Sequence, residues 1–112
     1  MTHPTQIYFS ILTTDWAMFE LNSFQRDLLY CIAGLDGSYG LGIKRAVEDY
    51  GDTEVNHGRL YPNLDTLVEK GYVAKSSIDD RTNSYELTPE GQALLADRHE
   101  WEAKQLSEGD NE

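Results

Sequence analysis

The sequence has few basic residues. Its 112 residues include 20 Asp and Glu but only 9 Lys and Arg, four of them Lys, so the formal net charge is −11. Because nucleic-acid binding is mainly the neutralisation of phosphates, this balance alone argues against a nucleic-acid partner. Acids spread along a lysine-poor chain are, however, typical of a surface that stays hydrated in molar salt, where the Debye length is about 3 Å. We therefore favour salt adaptation over an acidic partner-binding protein.

Cysteine and long hydrophobic runs are also scarce. The single cysteine, Cys31, excludes an intramolecular disulfide, and its position among apolar residues predicts a buried, unreactive thiol. A lone cysteine could sense oxidants only through a sulfenic acid or a bridge between two chains. No run approaches the ~18 apolar residues of a membrane span, and the apolar segment 7–21 lacks the basic start and cleavage site of a signal peptide. A cytoplasmic location is the resulting prediction.

The sequence contains no recognisable catalytic or metal-binding pattern. His3, His57 and His99 do not have the spacing of a metal site, and no nucleophile is paired with a base at a motif spacing. We therefore expect no metal, no cofactor and no enzymatic activity.

The apolar residues that are present predict a mainly α-helical domain with one β-hairpin, an α+β winged helix-turn-helix fold. Helical spacing predicts helices over residues 22–35, over 38–51 with Gly51 as the stop, in a third segment that ends at Lys70, and from Pro89 onward. Two β-like runs, 72–78 and 84–87, are joined by a turn rich in Asp and Asn. Pro62 is expected in the first turn of the third helix, or at a kink there. Residues 7–20 fit either a strand or a helix.

One face of the third helix is free of acids. Residues 57–64 include no Asp or Glu in an otherwise acidic chain. Polar residues recur there at spacings of three and four, and they are Asn56, Arg59, Asn63, Thr66 and Lys70. Arg pairs well with guanine and Asn with adenine, so this stripe favours base readout in the major groove, with the hairpin as a wing. An ordinary solvated face that lacks acids is the alternative.

The predicted DNA contacts extend beyond this stripe to the second helix and the wing. The full set is Tyr39, Lys44, Arg45, Asn56, His57, Gly58, Arg59, Tyr61, Asn63, Thr66, Lys70, Lys75, Arg81 and Asn83. Acids such as Asp65 and Asp79 lie close to these residues in the sequence, where they would repel phosphates. We therefore predict that inorganic cations bind between the acids and the DNA backbone.

Two segments, "GRLYPNLDTLVEKGYV" and "YELTPEGQALL", resemble the signature of the PadR-like winged-helix transcriptional regulators. The resemblance covers residues 24–95. The residues at motif positions are Gly58, Leu60, Tyr61, Pro62, Leu64, Leu67, Gly71, Tyr85, Leu87, Thr88 and Gly91. It implies a homodimer that binds double-stranded DNA, with the third helix in the major groove and the wing beside it. An oxidant-responsive member is the most similar, so a role in the oxidative stress response is a hypothesis that the resemblance adds.

The chain departs from that family at two places. Ser38-Tyr39-Gly40 stands where the family usually has His-Gly-Tyr, and the long C-terminal dimerisation domain of larger members is replaced by one helix. We expect an N-terminal arm over 1–21, the DNA-binding domain over 22–88, a dimerisation helix over 89–106 and a frayed tail over 107–112.

The last helix carries a narrow apolar stripe on a charged rod, which needs a second surface to cover it. The residues predicted to form the dimer interface are Trp16, Phe19, Leu94, Trp101 and Leu106. Such a dimer reads two half-sites of a pseudo-palindrome about one DNA turn apart. The alternative function is a winged-helix module that binds another protein and never contacts DNA.

Overall fold

The computed structural model describes residues 18–110, with side chains described as far as Ser107. In chain order the elements are α1 (Ser23–Leu35), β1 (Ser38–Tyr39), α2 (Gly40–Gly51), α3 (His57–Glu69), β2 (Val73–Ser77), β3 (Asn83–Leu87) and α4 (Pro89–Asp110). Residues 18–20, just before α1, are also helical, which favours the helical interpretation at this end of the N-terminal arm. Trp16 and the rest of the ambiguous segment lie outside the described residues.

The sheet is antiparallel with strand order β1-β3-β2. The hairpin strands pair from Val73 opposite Leu87 to Ser77 opposite Asn83, as the sequence predicts. The prediction that α2 starts at Ser38 was wrong, because Ser38 and Tyr39 are extended and pair with Tyr85 and Ser84 of β3. Pairing with β1 satisfies backbone groups along the second edge of β3, which a hairpin alone would leave open.

Two helices end on an aspartate in the left-handed conformation. Asp36 closes α1 with φ 56°, and Asp52 closes α2 with φ 51°. The prediction that α2 ends at Gly51 is confirmed, but Asp52 rather than the glycine makes the left-handed reversal. Aspartate tolerates this conformation better than most residues because its side chain is short and polar. Gly71, at φ 88°, follows α3 and the C-cap residue Lys70.

Pro62 is the sixth residue of α3, in the second turn, just past the first turn near which the sequence predicts it. Without an N–H it leaves the carbonyl of Gly58 without its usual helical donor. Both residues are exposed, so water reaches this carbonyl and limits the cost. The helix therefore continues through the proline to Glu69.

The core lies where α1 crosses α2, α3, α4 and the sheet. Its fully buried side chains include Leu28 and Ile32 of α1, Ile43 of α2 and Leu60 of α3. Leu94, near the start of α4, joins the same core and is only 3% exposed. The prediction that Leu94 lies in a dimer interface was therefore wrong, because the chain's own core already covers it.

A threonine-centred junction joins the sheet to α4. The Thr88 hydroxyl donates to the Gly71 carbonyl at 2.6 Å and accepts from the Gly91 N–H at 3.0 Å. The Thr88 N–H donates to the Tyr72 carbonyl, and a Cβ on Gly91 would overlap that same oxygen. With these contacts Thr88 caps α4, which begins at Pro89 as predicted, and they explain why a glycine follows Thr88 three residues later. Beyond this junction α4 runs to Asp110, so the tail predicted to fray from residue 107 is helical as far as 110.

Candidate nucleic-acid interface

The N-terminal half of α3 forms an exposed surface without acids. Asn56, His57, Gly58 and Arg59 are all exposed, and the first turn of the helix contains no acidic residue. Asn56 caps the helix, and its Oδ1 accepts from the Arg59 N–H at 2.8 Å. The positive end of the helix dipole therefore faces solvent, which suits an anionic partner, and the acid beside it is Glu54 of the preceding link, which lines a pocket with Asn56 and His57.

The link between α2 and α3 is held by one glutamate. Glu48 accepts from the N–H of the buried Val55 at 2.9 Å and from Lys44 Nζ at 2.7 Å. These bonds, led by the one from Lys44, hold the pKa of Glu48 below its usual value. Lys44, a predicted DNA contact, is thus paired with the glutamate that bonds the link between α2 and α3.

Arg59 is the cation at the centre of this surface. Its Cζ lies 4.0 Å from the centroid of the Phe24 ring, which belongs to α1. The side chain is exposed, and a guanidinium stacked on a ring keeps its N–H donors available at its edge. Arg59 therefore has the position and the chemistry for bidentate contact with guanine.

Asn63, predicted to read bases, is engaged inside the protein. Its Nδ2 donates to the Arg59 carbonyl at 2.7 Å, and its Oδ1 accepts from Gln25 Nε2 at 2.9 Å. The amide is half-buried with both ends bonded, so we assign it a structural role. Thr66 is likewise half-buried, and its hydroxyl donates to the Pro62 carbonyl at 3.1 Å. The predicted polar stripe exists, but Asn63 and Thr66 in its middle form hydrogen bonds to main-chain carbonyls of α3 itself.

A cleft of about 390 Å³ separates the start of α2, the start of α3 and the wing. It brings together five predicted DNA contacts, which are Tyr39, His57, Tyr61, Arg81 and Asn83. The His57 and Tyr61 rings meet edge to face with centroids 5.6 Å apart. Gly40 allows this arrangement, since a Cβ there would lie 2.5 Å from the Tyr61 hydroxyl oxygen. The cleft therefore offers tyrosine hydroxyls, an imidazole and a guanidinium on one concave surface.

The wing turn is shaped by Asp79. Its carboxylate accepts from the Arg81 N–H at 2.9 Å, and this bond is the main cause that lowers the pKa of Asp79. The turn holds Arg81 exposed at the tip, with Ile78 exposed beside it. The sequence predicts Asp79 near DNA as a repelling charge, and the structure gives it a role in ordering the turn as well.

Basic residues around this surface fall into two groups. Lys44 pairs with Glu48 at 2.7 Å, Lys70 with Glu20 at 3.9 Å and Lys75 with Asp65 at 3.4 Å. Arg45, Arg59 and Arg81 form no ion pair with any residue in 18–107. The arginines are thus the cations most open to a phosphate, and the lysines already have carboxylate partners.

Large apolar side chains remain exposed around α4. Trp101 is 52% exposed and Leu106 is 74% exposed, and Phe19 before α1 is exposed as well. Arg98 stacks over the Trp101 ring with Cζ 4.7 Å from its centroid and pairs with Glu102 at 3.1 Å. Trp101, Leu106 and Phe19 are therefore large apolar side chains that remain exposed in the described part of the chain.

Other candidate chemistry is sparse in the described residues. Cys31 is half-buried, and burial followed by the nearby Asp27 charge raises its pKa, which keeps the thiol protonated. No three His, Cys, Asp or Glu side chains gather as metal ligands within residues 18–107. Of the helices in residues 18–110, none is long and apolar enough to cross a bilayer.

Residues 28–97 match the sequence profile of the transcriptional regulator PadR-like family. RosR of H. salinarum is similar over 77% of this chain and 77% of its own, with 51% identity and a TM-score of 0.74. Two more distant structures share the fold alone. F93 from STIV, a winged-helix DNA-binding protein, is 15% identical, with a TM-score of 0.61 over 73% of this chain and 90% of its own. A mutant of E. coli MarR, complexed with operator DNA, is 21% identical, with a TM-score of 0.64 over 89% and 73%. No curated protein sequence is significantly similar to the chain.

Proposed function

The chain belongs to the PadR-like family of transcriptional regulators, and on this basis we propose that it binds double-stranded DNA at specific sequences. The observation that carries the proposal is the exposed, acid-free start of α3, with Arg59 at its centre and the wing cleft beside it. In a chain with a net charge of −11, a surface kept free of carboxylates indicates a polyanionic partner.

The geometry supports a particular docking. The start of α3 enters the major groove, where Arg59 contacts a guanine. Because Gly58 has no side chain, the sugar–phosphate backbone beside the groove can approach α3 closely. The wing cleft receives the sugar–phosphate backbone, with Tyr39, His57 and Arg81 as donors. Arg45 on α2 offers a further cation to the same sugar–phosphate backbone.

A homodimer is part of the proposal. Trp101 and Leu106 of α4, together with Phe19, offer an exposed apolar surface that a second copy of the chain would bury. A two-fold axis through paired α4 helices presents two copies of α3 to half-sites about 34–36 Å apart on a pseudo-palindrome. A regulator that binds chromosomal DNA in this way acts in the cytoplasm.

We further propose that the protein binds DNA in high salt and takes part in the oxidative stress response. The acids beside the site, such as Asp65 at the exposed face of α3, favour bound inorganic cations between protein and phosphate. The oxidative stress role rests on the resemblance to RosR. Loss or gain of DNA binding after peroxide treatment, compared with a Cys31→Ser variant, tests whether the thiol takes part.

The decisive test is a gel shift with DNA from upstream of the protein's own gene in about 2 M KCl, a salt level at which ordinary phosphate contacts are already weak. We expect a specific shift that Arg59→Ala weakens by about 1–3 kcal/mol, with relaxed preference at one base pair. The absence of any sequence preference, together with a partner protein that buries α3, would favour the protein-binding module instead.

A further inference from the structure

We infer that Phe24 and Gln25 of α1, two side chains that face the interior, set the base preference of the protein by fixing the position of Arg59. Phe24 is 7% exposed and Gln25 is 8% exposed, so neither presents a surface to DNA. The inference rests on the proposed function, because it concerns how the same site discriminates between base pairs.

The backbone of Arg59 is held on both sides by asparagines. Asn56 Oδ1 accepts from the Arg59 N–H at 2.8 Å, and Asn63 Nδ2 donates to the Arg59 carbonyl at 2.7 Å. Both asparagines are candidates for reading adenine by residue type alone. In the structure they instead support the peptide units on either side of the arginine. Each side chain adds a bond to a peptide unit that the helix already holds, since the Arg59 N–H also donates to the Asn56 carbonyl at 3.1 Å.

Gln25 fixes the orientation of Asn63. Gln25 Oε1 accepts from the Asn22 N–H at 3.1 Å, in the capping box that starts α1. This bond leaves the Nε2 end to donate to Asn63 Oδ1, at 2.9 Å. The Asn63 oxygen must then face Gln25, and its Nδ2 must face the Arg59 carbonyl. One capping box thus determines the direction of two amides and, through them, the backbone of Arg59.

Phe24 fixes the guanidinium itself. The Cζ atom of Arg59 lies 4.0 Å from the ring centroid, and the ring is anchored in the core. Stacking confines the guanidinium to one plane while its N–H groups remain free at the edge. A free arginine would lose this rotamer freedom on contact with DNA, whereas here folding has already restricted it. The conformational entropy saved in this way favours binding at the one base pair where the N–H groups of the guanidinium must align with guanine O6 and N7.

A double-mutant cycle tests the inference. Phe24→Leu keeps apolar volume and removes the ring face; Gln25→Glu keeps the acceptor for Asn22 and removes the donor to Asn63. Each is made alone and with Arg59→Ala, and binding is measured on a specific duplex and on its single base-pair variants. Ile32→Val, a core change on α1 outside the Arg59 contacts, is the matched control. Thermal unfolding of every variant identifies any that fail to fold.

We expect Phe24→Leu and Gln25→Glu each to lower specific affinity about tenfold, which corresponds to ~1.4 kcal/mol. They should relax preference at the same base pair as Arg59→Ala, and have no further effect once Arg59 is alanine. Full additivity in that background, or an altered preference at a different base pair, overturns the inference. A wild-type protein without any sequence preference overturns the proposed function itself, and the inference with it.

Discussion

Lys75 on β2 lies 3.4 Å from Asp65 on α3, so an ion pair joins the wing to the helix that we propose enters the major groove. Both side chains are more than a third exposed, and such surface pairs contribute little to stability. Their position matters more. Asp65 gives Lys75 a carboxylate partner in the free protein, and a DNA phosphate would have to compete with that carboxylate or share the lysine through a bound cation.

This arrangement predicts a shallow dependence of DNA affinity on salt. An ordinary complex loses affinity with a slope of about −0.9 per phosphate neutralised, because each contact releases counterions. Here three lysines start with acid partners, so fewer counterions are released and cations are taken up beside Asp65. A titration of specific affinity from about 0.5 to 2 M KCl measures the slope, in a range where ordinary contacts are weak.

The variant Asp65→Asn is the control for this prediction. It removes the carboxylate and leaves Lys75 free, so we expect tighter binding at the low end of the salt range and a steeper decline above it. If the wild-type protein already loses specific binding steeply, the acids act only in hydration and the prediction is wrong.

The second prediction separates charge from geometry at Arg59. Arg59→Lys keeps a cation but loses the planar fork, so it should lose specificity at one base pair by about 1–3 kcal/mol. Binding to unrelated DNA should change little, because a phosphate accepts either cation. Fluorescence anisotropy on a specific duplex and a scrambled one checks both parts. Equal losses on the two duplexes would place Arg59 on the backbone.

The helices and the hairpin could be predicted because each carries a local signal. The cap at Asn22, the positive-φ glycine at 71 and the Thr88-Pro89 start of α4 act within one or two turns of chain. Strand β1 has only two residues, and its partner β3 lies beyond two helices and a further strand in the chain, so no local pattern reveals the pairing. Burial of Leu94 likewise depends on where α4 docks, which periodicity along the helix does not determine.

The candidate site was predictable as a surface, but the roles within it were not. The structure brings five of the predicted DNA contacts together in the cleft beside the start of α3, whereas the spacing of three and four in the sequence concerned only the polar stripe of α3. Asn63 has the residue type of a base reader, yet its partner Gln25 lies on α1, 38 residues away in sequence. The Asn22–Gln25 spacing signals a capping box, and that signal was the one hint that Gln25 has a defined orientation.

A third prediction concerns two glycines with opposite surroundings. Gly34 lies inside α1, where a Cβ would meet no atom within 4 Å, so Gly34→Ala should stabilise the fold by about 0.5–1 kcal/mol. Gly91→Ala would drive a methyl group into the Tyr72 carbonyl and should destabilise it by about 1–3 kcal/mol. Chemical denaturation measures both. If both variants changed the free energy of unfolding equally, α4 would not dock against the Tyr72 carbonyl.

The fourth prediction is a pH dependence of stability that involves Glu48. Bonds from Lys44 and the Val55 N–H lower its pKa in the folded state, so it contributes stability above its unfolded pKa. That contribution is lost as pH falls through the folded pKa. Glu48→Gln should therefore be less stable than wild type at neutral pH, and the gap should narrow below about pH 4. Glu54→Gln, an exposed change in the link between α2 and α3, is the matched control.

The last prediction concerns assembly through α4. Trp101 and Leu106 lie on the same mostly charged helix, and both are exposed in a single chain. Burying them in a second copy would remove apolar surface from water at roughly 25 cal/mol per Å². We expect Trp101→Asp and Leu106→Asp each to convert a dimer into monomers, because a carboxylate at this surface faces its own symmetry mate. Sedimentation at micromolar protein in high salt measures the change.

Leu94→Ala separates assembly from folding. Leu94 lies in the core, so its truncation should lower the free energy of unfolding by about 2–5 kcal/mol without weakening association of the folded chains. The two aspartate variants should behave in the opposite way, with monomers that retain helical circular dichroism. DNA binding should weaken in these monomers, since each engages only one half-site of the pseudo-palindrome. If the wild-type protein sediments as a monomer, the proposal of two paired half-sites is wrong, and a single α3 would bind DNA alone.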